Sequence, residues 1–251
     1  MTRVEKNAAM EQRLDDMQGE IVGEVKRRTR KSRPWFSCTL ILLIALLGVS
    51  VWALWNLAAT GFWRIPLFTT LAYDPPSPTR EVTPGVPAQT IVEETFSTTL
   101  TRRLYEGGGT LTDRSMEVTL SEASLTASLR SFLEEADLEW IDVSHTQLVV
   151  DPKVGMELFV PFMDSELETA ATLWFAIEVS EGHVVVTPKE VRVGSAKIPG
   201  FLIAAFLKPF LEAELAKLNG TMVGYATIST MEILPRELVI VGELAVKVEA
   251  L

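Results

Sequence analysis

Chemistry-bearing residues are scarce in this chain. It holds one cysteine, Cys38, so no internal disulfide and no thiolate metal cluster can form. It holds two histidines, His145 and His183, and neither has a carboxylate or a second histidine at metal-ligand spacing in the sequence. No Gly-x-Ser-x-Gly nucleophile elbow occurs, and Gly107 to Gly109 lack the preceding strand and following Lys-Ser/Thr of a phosphate loop. The clusters Glu134–Glu135 and Asp164, Glu166, Glu168 are what a solvated acidic face presents. No enzyme, no cofactor and no metal site is expected. Basic residues are also sparse after the first quarter: residues 64 to 251 carry fourteen Lys/Arg against twenty-seven Asp/Glu, whereas residues 1 to 63 carry nine against six. A net charge of −13 on the larger part excludes nucleic acid as a general partner, because phosphates need a basic surface.

The most conspicuous absence is of charge itself. From Pro34 to Trp63 no charged residue occurs, and the centre, CTLILLIALLGVSVWALWNLAA, is almost wholly apolar. About 20 such residues cross a hydrocarbon core of roughly 30 Å as a helix. The preceding KRRTRKSR, residues 26 to 33, places six cations against the N-terminal end, which predicts a cytoplasmic N-terminus. Trp35 and Phe36 at one end, and Trp52, Trp55, Phe62 and Trp63 towards the other, suit interfacial belts. The run is longer than a signal peptide's apolar region and starts after 33 residues, so an uncleaved single span over 34–63 is expected. Before it, Met10, Leu14, Met17, Ile21 and Val25 form a short helical stripe in a basic, partly helical tail, 1–33.

After the span, Pro75, Pro76, Pro78, Pro84 and Pro87 predict an extended spacer over 64–87 that holds the folded part off the bilayer. The domain, 88–251, opens with a helix in TIVEETFSTTLTRRLYEGG. A strand over Met116 to Leu120 comes next, with Ser121 as N-cap of a second helix whose face is Leu125, Leu129, Phe132 and Leu133. Val154, Met156, Leu158, Val160 and Phe162 then alternate along one strand, and Leu173, Phe175, Ile177 and Val179 along a second. A Glu181–Gly182 turn returns the chain as HVVVTPKEVRVGS, making an antiparallel meander. The stretch IPGFLIAAFLKPFLEAELAKL, residues 198 to 218, reads as a long helix, with Pro199 at its start and a kink at Pro209. Two strand segments, TMVGYATISTMEI and ELVIVGELAVKVEA, close an α+β pattern with antiparallel pairing.

The first half of that long helix is apolar on every side, unlike a surface helix. Two readings fit: a core helix covered on both sides, or a helix that lines a groove for an apolar ligand.

The order of a single N-terminal span, VTLSEASLTASL (118 to 129), a strand meander, VRVGSAKIPGFLIAAFL (191 to 207) and LPRELVIVGEL (234 to 244) resembles the bacterial membrane-anchored YpmS-like and LmeA-like proteins, which look related to the tubular lipid-binding superfamily. The resemblance covers roughly residues 90 to 250. It implies a curved antiparallel sheet wrapped on the long helix, with an apolar groove for a lipid tail between them, in an extracytoplasmic domain of a bacterial envelope. Gly194, Ile198 and Pro199 match the turn that feeds the helix. Ile198, Phe201, Leu202, Ala205, Phe206 and Phe210 are the expected ligand-binding residues. Membrane lipid is the expected partner. A non-enzymatic scaffold with a closed core, recruiting envelope proteins, is the alternative. On the lipid reading, Ala205→Trp reduces lipid uptake without unfolding the domain.

Overall fold

A computed structural model describes residues 16–24, 34–107, 114–163, 165–222 and 226–244. The chain divides into two compact units, Met1–Ala53 and Leu54–Leu251, with the boundary inside the apolar helix.

In the first unit, residues 16–24 are helical (α1), with Met17 and Ile21 exposed; the rest of the stripe read from Met10 to Val25 lies outside the described residues. The long helix α2, Pro34–Thr60, comes after it. Its segment Cys38–Thr60 is long and apolar enough to cross a membrane.

The second unit is mixed α+β with two antiparallel sheets. A three-stranded sheet has the order β1-β8-β7, from β1 (Ser115–Ser121), β7 (Ala226–Leu234) and β8 (Glu237–Leu244). A five-stranded meander runs β2 (Gln147–Asp151), β3 (Gly155–Pro161), β4 (Ala170–Ser180), β5 (His183–Val193) and the two-residue β6 (Ala196–Lys197). The expected meander is present, closed at Glu181 and Gly182 by two positive-φ residues, the geometry of a two-residue hairpin turn. Helices α3 (Phe68–Ala72), α4 (Ala88–Glu106) and α5 (Glu122–Glu135) precede the meander. After it come α6 (Gly200–Leu202), a π-helical segment (Ile203–Leu207) and α7 (Lys208–Met222).

Two buried clusters meet between the sheets and α5. Ala88, Val118, Leu120 and Leu238 form one, Val150, Met156 and Phe175 the other, and Leu125 and Ile233 pack against both. Ser121 caps α5 as expected, its Oγ accepting from the Ser124 N–H at 3.1 Å. The buried face of α5 differs from the expected one: Phe132 is exposed, and Glu122, Ser124, Thr126 and Ala127 are buried with Leu133. The cause is what α5 covers. It lies on the outer edge of β2, and its polar groups replace a missing strand. The Thr126 hydroxyl accepts from Leu148 N–H at 3.0 Å and donates to Leu148 C=O at 3.2 Å. Glu122 accepts from Val150 N–H at 3.3 Å.

The proline-rich stretch is extended, as its composition requires, yet it is a strap on the domain rather than a free spacer. The Tyr73 hydroxyl donates to Leu167 C=O at 2.9 Å, Asp74 N–H to Ser195 Oγ at 2.7 Å, Val82 N–H to Gln147 Oε1 at 3.0 Å and Gly85 N–H to Ala123 C=O at 3.0 Å. Thr79 donates its N–H and its hydroxyl to Glu157, and Trp174 Nε1 reaches the same carboxylate at 3.2 Å. Strand alternation alone would leave Glu157 facing water; the strap buries it and three donors satisfy it.

The C-terminal end of α2 belongs to this unit. Ala58 and Ala59 are buried. The Ser195 N–H donates to Ala59 C=O at 2.8 Å and the Thr169 hydroxyl to Thr60 C=O at 2.6 Å, satisfying carbonyls that a helix end leaves open. Gly194 is required there. Its φ is +58°, and a Cβ would stand 2.5 Å from Thr60 O.

Candidate ligand groove

Strand β5 is the last long strand of the meander, and β6 pairs with it only at Arg192 and Val193. The two-residue turn makes His183, Val185 and Thr187 the positions that bond back to β4, so the backbone groups of Val184, Val186 and Pro188 point to the outer edge. Pro188 lacks an N–H at a position where one would face outward, which blunts that edge. Helix α7 packs against β5 on this side.

Between strand and helix lies a cavity of about 760 Å³, open to solvent. The strand wall runs from His183 to Lys189. The helix wall is made by Gly200, Ile203, Ala204, Lys208, Glu212, Leu215 and Ala216. Val184 and Ile203 are buried at its floor, and Val185 is 40% exposed. Three of its lining residues are charged: Lys189 donates to Val154 C=O at 2.9 Å, and Lys208 faces Glu212 at 3.7 Å.

The long helix therefore borders a groove, but with another face than the one expected. None of Ile198, Phe201, Leu202, Ala205, Phe206 and Phe210 is among the residues lining it. Phe201, Phe206 and Phe210 are 70, 73 and 61% exposed, Ala205 is exposed, and Ile198 and Leu202 are half-buried. The π segment explains the placement beyond it, including that of Phe210. Lys208 N–H bonds to Ile203 C=O, five residues back, so the turn holds an extra residue and rotates the rest of the helix by about 100° relative to an unbroken α-helix. The same segment accommodates Pro209: α7 continues through it from Lys208 to Met222, where the sequence predicts a kink.

His145 proves to have a carboxylate partner. Its Nδ1 lies 2.7 Å from Asp142 Oδ2, and Asp142 caps the short 3-10 turn Val143–His145. Burial pushes the Asp142 carboxyl up, but hydrogen bonds from Ser144 and His145 outweigh it and hold the group below the usual carboxylate range. The side chain of His145 is 75% exposed, and the arrangement is a surface cap. Of the acidic cluster, Glu166 accepts from Arg64 N–H at 2.7 Å and Asp164 lies outside the described residues. Among the described residues no group of three or more metal-ligating side chains converges.

Comparison with protein-family models, curated proteins and solved structures finds no match.

Proposed function

We propose that this chain is a single-pass membrane protein, N-terminus in the cytoplasm, whose acidic α+β domain lies outside a bacterial cytoplasmic membrane and holds a lipid acyl chain or a similar apolar molecule between β5 and α7. The observation that carries this reading is the open groove of about 760 Å³. Its volume falls in the range of small-molecule sites, and its lining includes Val184, Val185, Val186, Ile203, Ala204 and Leu215 together with Lys189 and Lys208. Occupancy is passive on this account: each methylene withdrawn from water gains about 0.8 kcal/mol, with little selectivity among chains. The resemblance to YpmS-like and LmeA-like proteins points the same way and rests on the quoted motifs. On that resemblance the sheet curves around the long helix, so the groove runs along the helix.

A second reading has one specific observation in its favour. At Val186 and Pro188 the outer edge of β5 turns backbone groups outward that an extended peptide could pair with, as an envelope-protein recruiting site would require. Pro188 interrupts that edge, and this places the lipid reading first.

The test is photolabelling of the full chain in bilayers with a phospholipid carrying a diazirine in its acyl chain, and then peptide mapping. Label is expected in peptides covering 183–189 and 200–216 as well as in α2. Label confined to α2 contradicts the groove reading.

A further inference from the structure

Two residues beyond the end of α2, three separate segments bring aromatic side chains together. Phe62 lies 6.2 Å from Trp63 and 5.0 Å from Phe162, and Phe162 stacks on Trp140 at 5.8 Å. The loops that carry them are tied to each other by an Ile141–Phe162 bridge and by the Met163 N–H donating to Trp140 C=O at 3.1 Å. Despite this tight framing the outer members are bare: Trp63, Trp140 and Met163 are 56, 54 and 60% exposed. A scattered surface tryptophan is ordinary, but two on one rigid platform with a methionine form an apolar patch that asks for a partner.

We propose that this platform is a collar that seats the domain on the membrane interface. The collar depends on α2 being a span, and continuity of the chain supports it: Phe62 comes after Thr60 across a single glycine, and α2, at 27 residues, is about 40 Å long against a hydrocarbon core of roughly 30 Å. The helix is thus long enough to carry its docked end to headgroup level, where indole rings concentrate because they join an apolar body to a hydrogen-bonding tip. Charges of both signs neighbour the patch along the chain, Arg64 beside Trp63 and Glu139 beside Trp140, with Glu166 accepting from the Arg64 N–H, so the grip is apolar. Trp140 and Met163 become membrane contacts although they stand about 80 and 100 residues after the span.

The experiment uses the full chain with Cys38→Ser, reconstituted in phosphatidylcholine vesicles, carrying a nitroxide on Met163→Cys or, for comparison, on Val154→Cys. Val154 precedes β3 and Met163 lies beyond its other end, so the sites are separated by the strand's length, about 23 Å at 3.3 Å per residue. Both positions are exposed. The label at 163 is expected to collide several-fold more readily with oxygen than with a water-soluble nickel complex, and the label at 154 to show the reverse order. Trp140→Cys should repeat the result at 163. Equal nickel access at 154 and 163 overturns the collar while the chain still floats with the vesicles. Failure to float overturns the span and the collar together.

Discussion

The meander has two unlike long edges. On β2 the outward backbone groups are met one by one: Thr126 serves both groups of Leu148, Glu122 takes Val150 N–H, Arg80 and Arg236 N–H reach Val150 C=O at 2.6 and 3.2 Å, and Arg130 reaches Thr146 C=O at 2.8 Å. On β5 the outward positions meet a proline, a helix and a cavity. A strand edge must be closed, blunted or used. Here one edge is sealed by polar side chains, while the other is blunted by Pro188 and borders the cavity beside α7. If the groove is occupied as proposed, stability and ligand capacity fall on opposite edges of one sheet.

Substitutions can break this division. The largest effect is expected at Glu122, whose carboxylate meets Arg80 in a paired contact and Val150 N–H while its side chain is 11% exposed. Glu122→Ala removes the paired partner of the Arg80 guanidinium, which keeps Val150 C=O, and leaves the Val150 N–H without its acceptor; it should cost about 3 kcal/mol in unfolding of the detergent-solubilised chain. Thr126→Val keeps the shape but leaves both Leu148 groups unpaired, for a loss of about 2 kcal/mol by the same measurement. Ser121→Ala removes only the N-cap and should cost about 1 kcal/mol. The smallest effect belongs to the β5–β6 surface. Hydrogen bonds from Lys197 and Arg192 hold the Glu190 carboxyl below its usual range. A lowered carboxyl contributes stability above its unfolded pKa and loses it as the pH falls through the folded one. Glu190→Gln should therefore reduce stability at neutral pH by less than about 1 kcal/mol, with the difference from wild type vanishing in acid. If Thr126→Val proved harmless, the sealed edge would not be the stabilising one.

Much of this fold was legible from local rules. Ser121 before Glu122 announces a cap, the Glu181–Gly182 turn announces a hairpin, and the charge-free run from Pro34 announces α2. The features that escaped were set by tertiary neighbours. No spacing links Arg80 to Glu122 or Thr79 to Glu157, so the proline-rich stretch reads as a linker when it is a strap. Polarity hid the buried face of α5, because Thr126 and Glu122 are inside to serve a strand edge. The sequence assigned ligand contact to the largest apolar residues of the long helix, which does border a cavity. The structure lines the cavity instead with Gly200, Ile203, Ala204 and Lys208, and the extra residue of the π segment shifts the lining positions after it, turning Phe210 away.

Two adjacent alanines separate these possibilities. Ala204 lines the groove and Ala205 does not. In full-length protein photolabelled with the diazirine phospholipid, Ala204→Trp should abolish labelling of peptides covering 183–189 and 200–216 while leaving label on α2, and Ala205→Trp should leave both unchanged. Loss of groove labelling in Ala205→Trp with retention in Ala204→Trp would contradict the account.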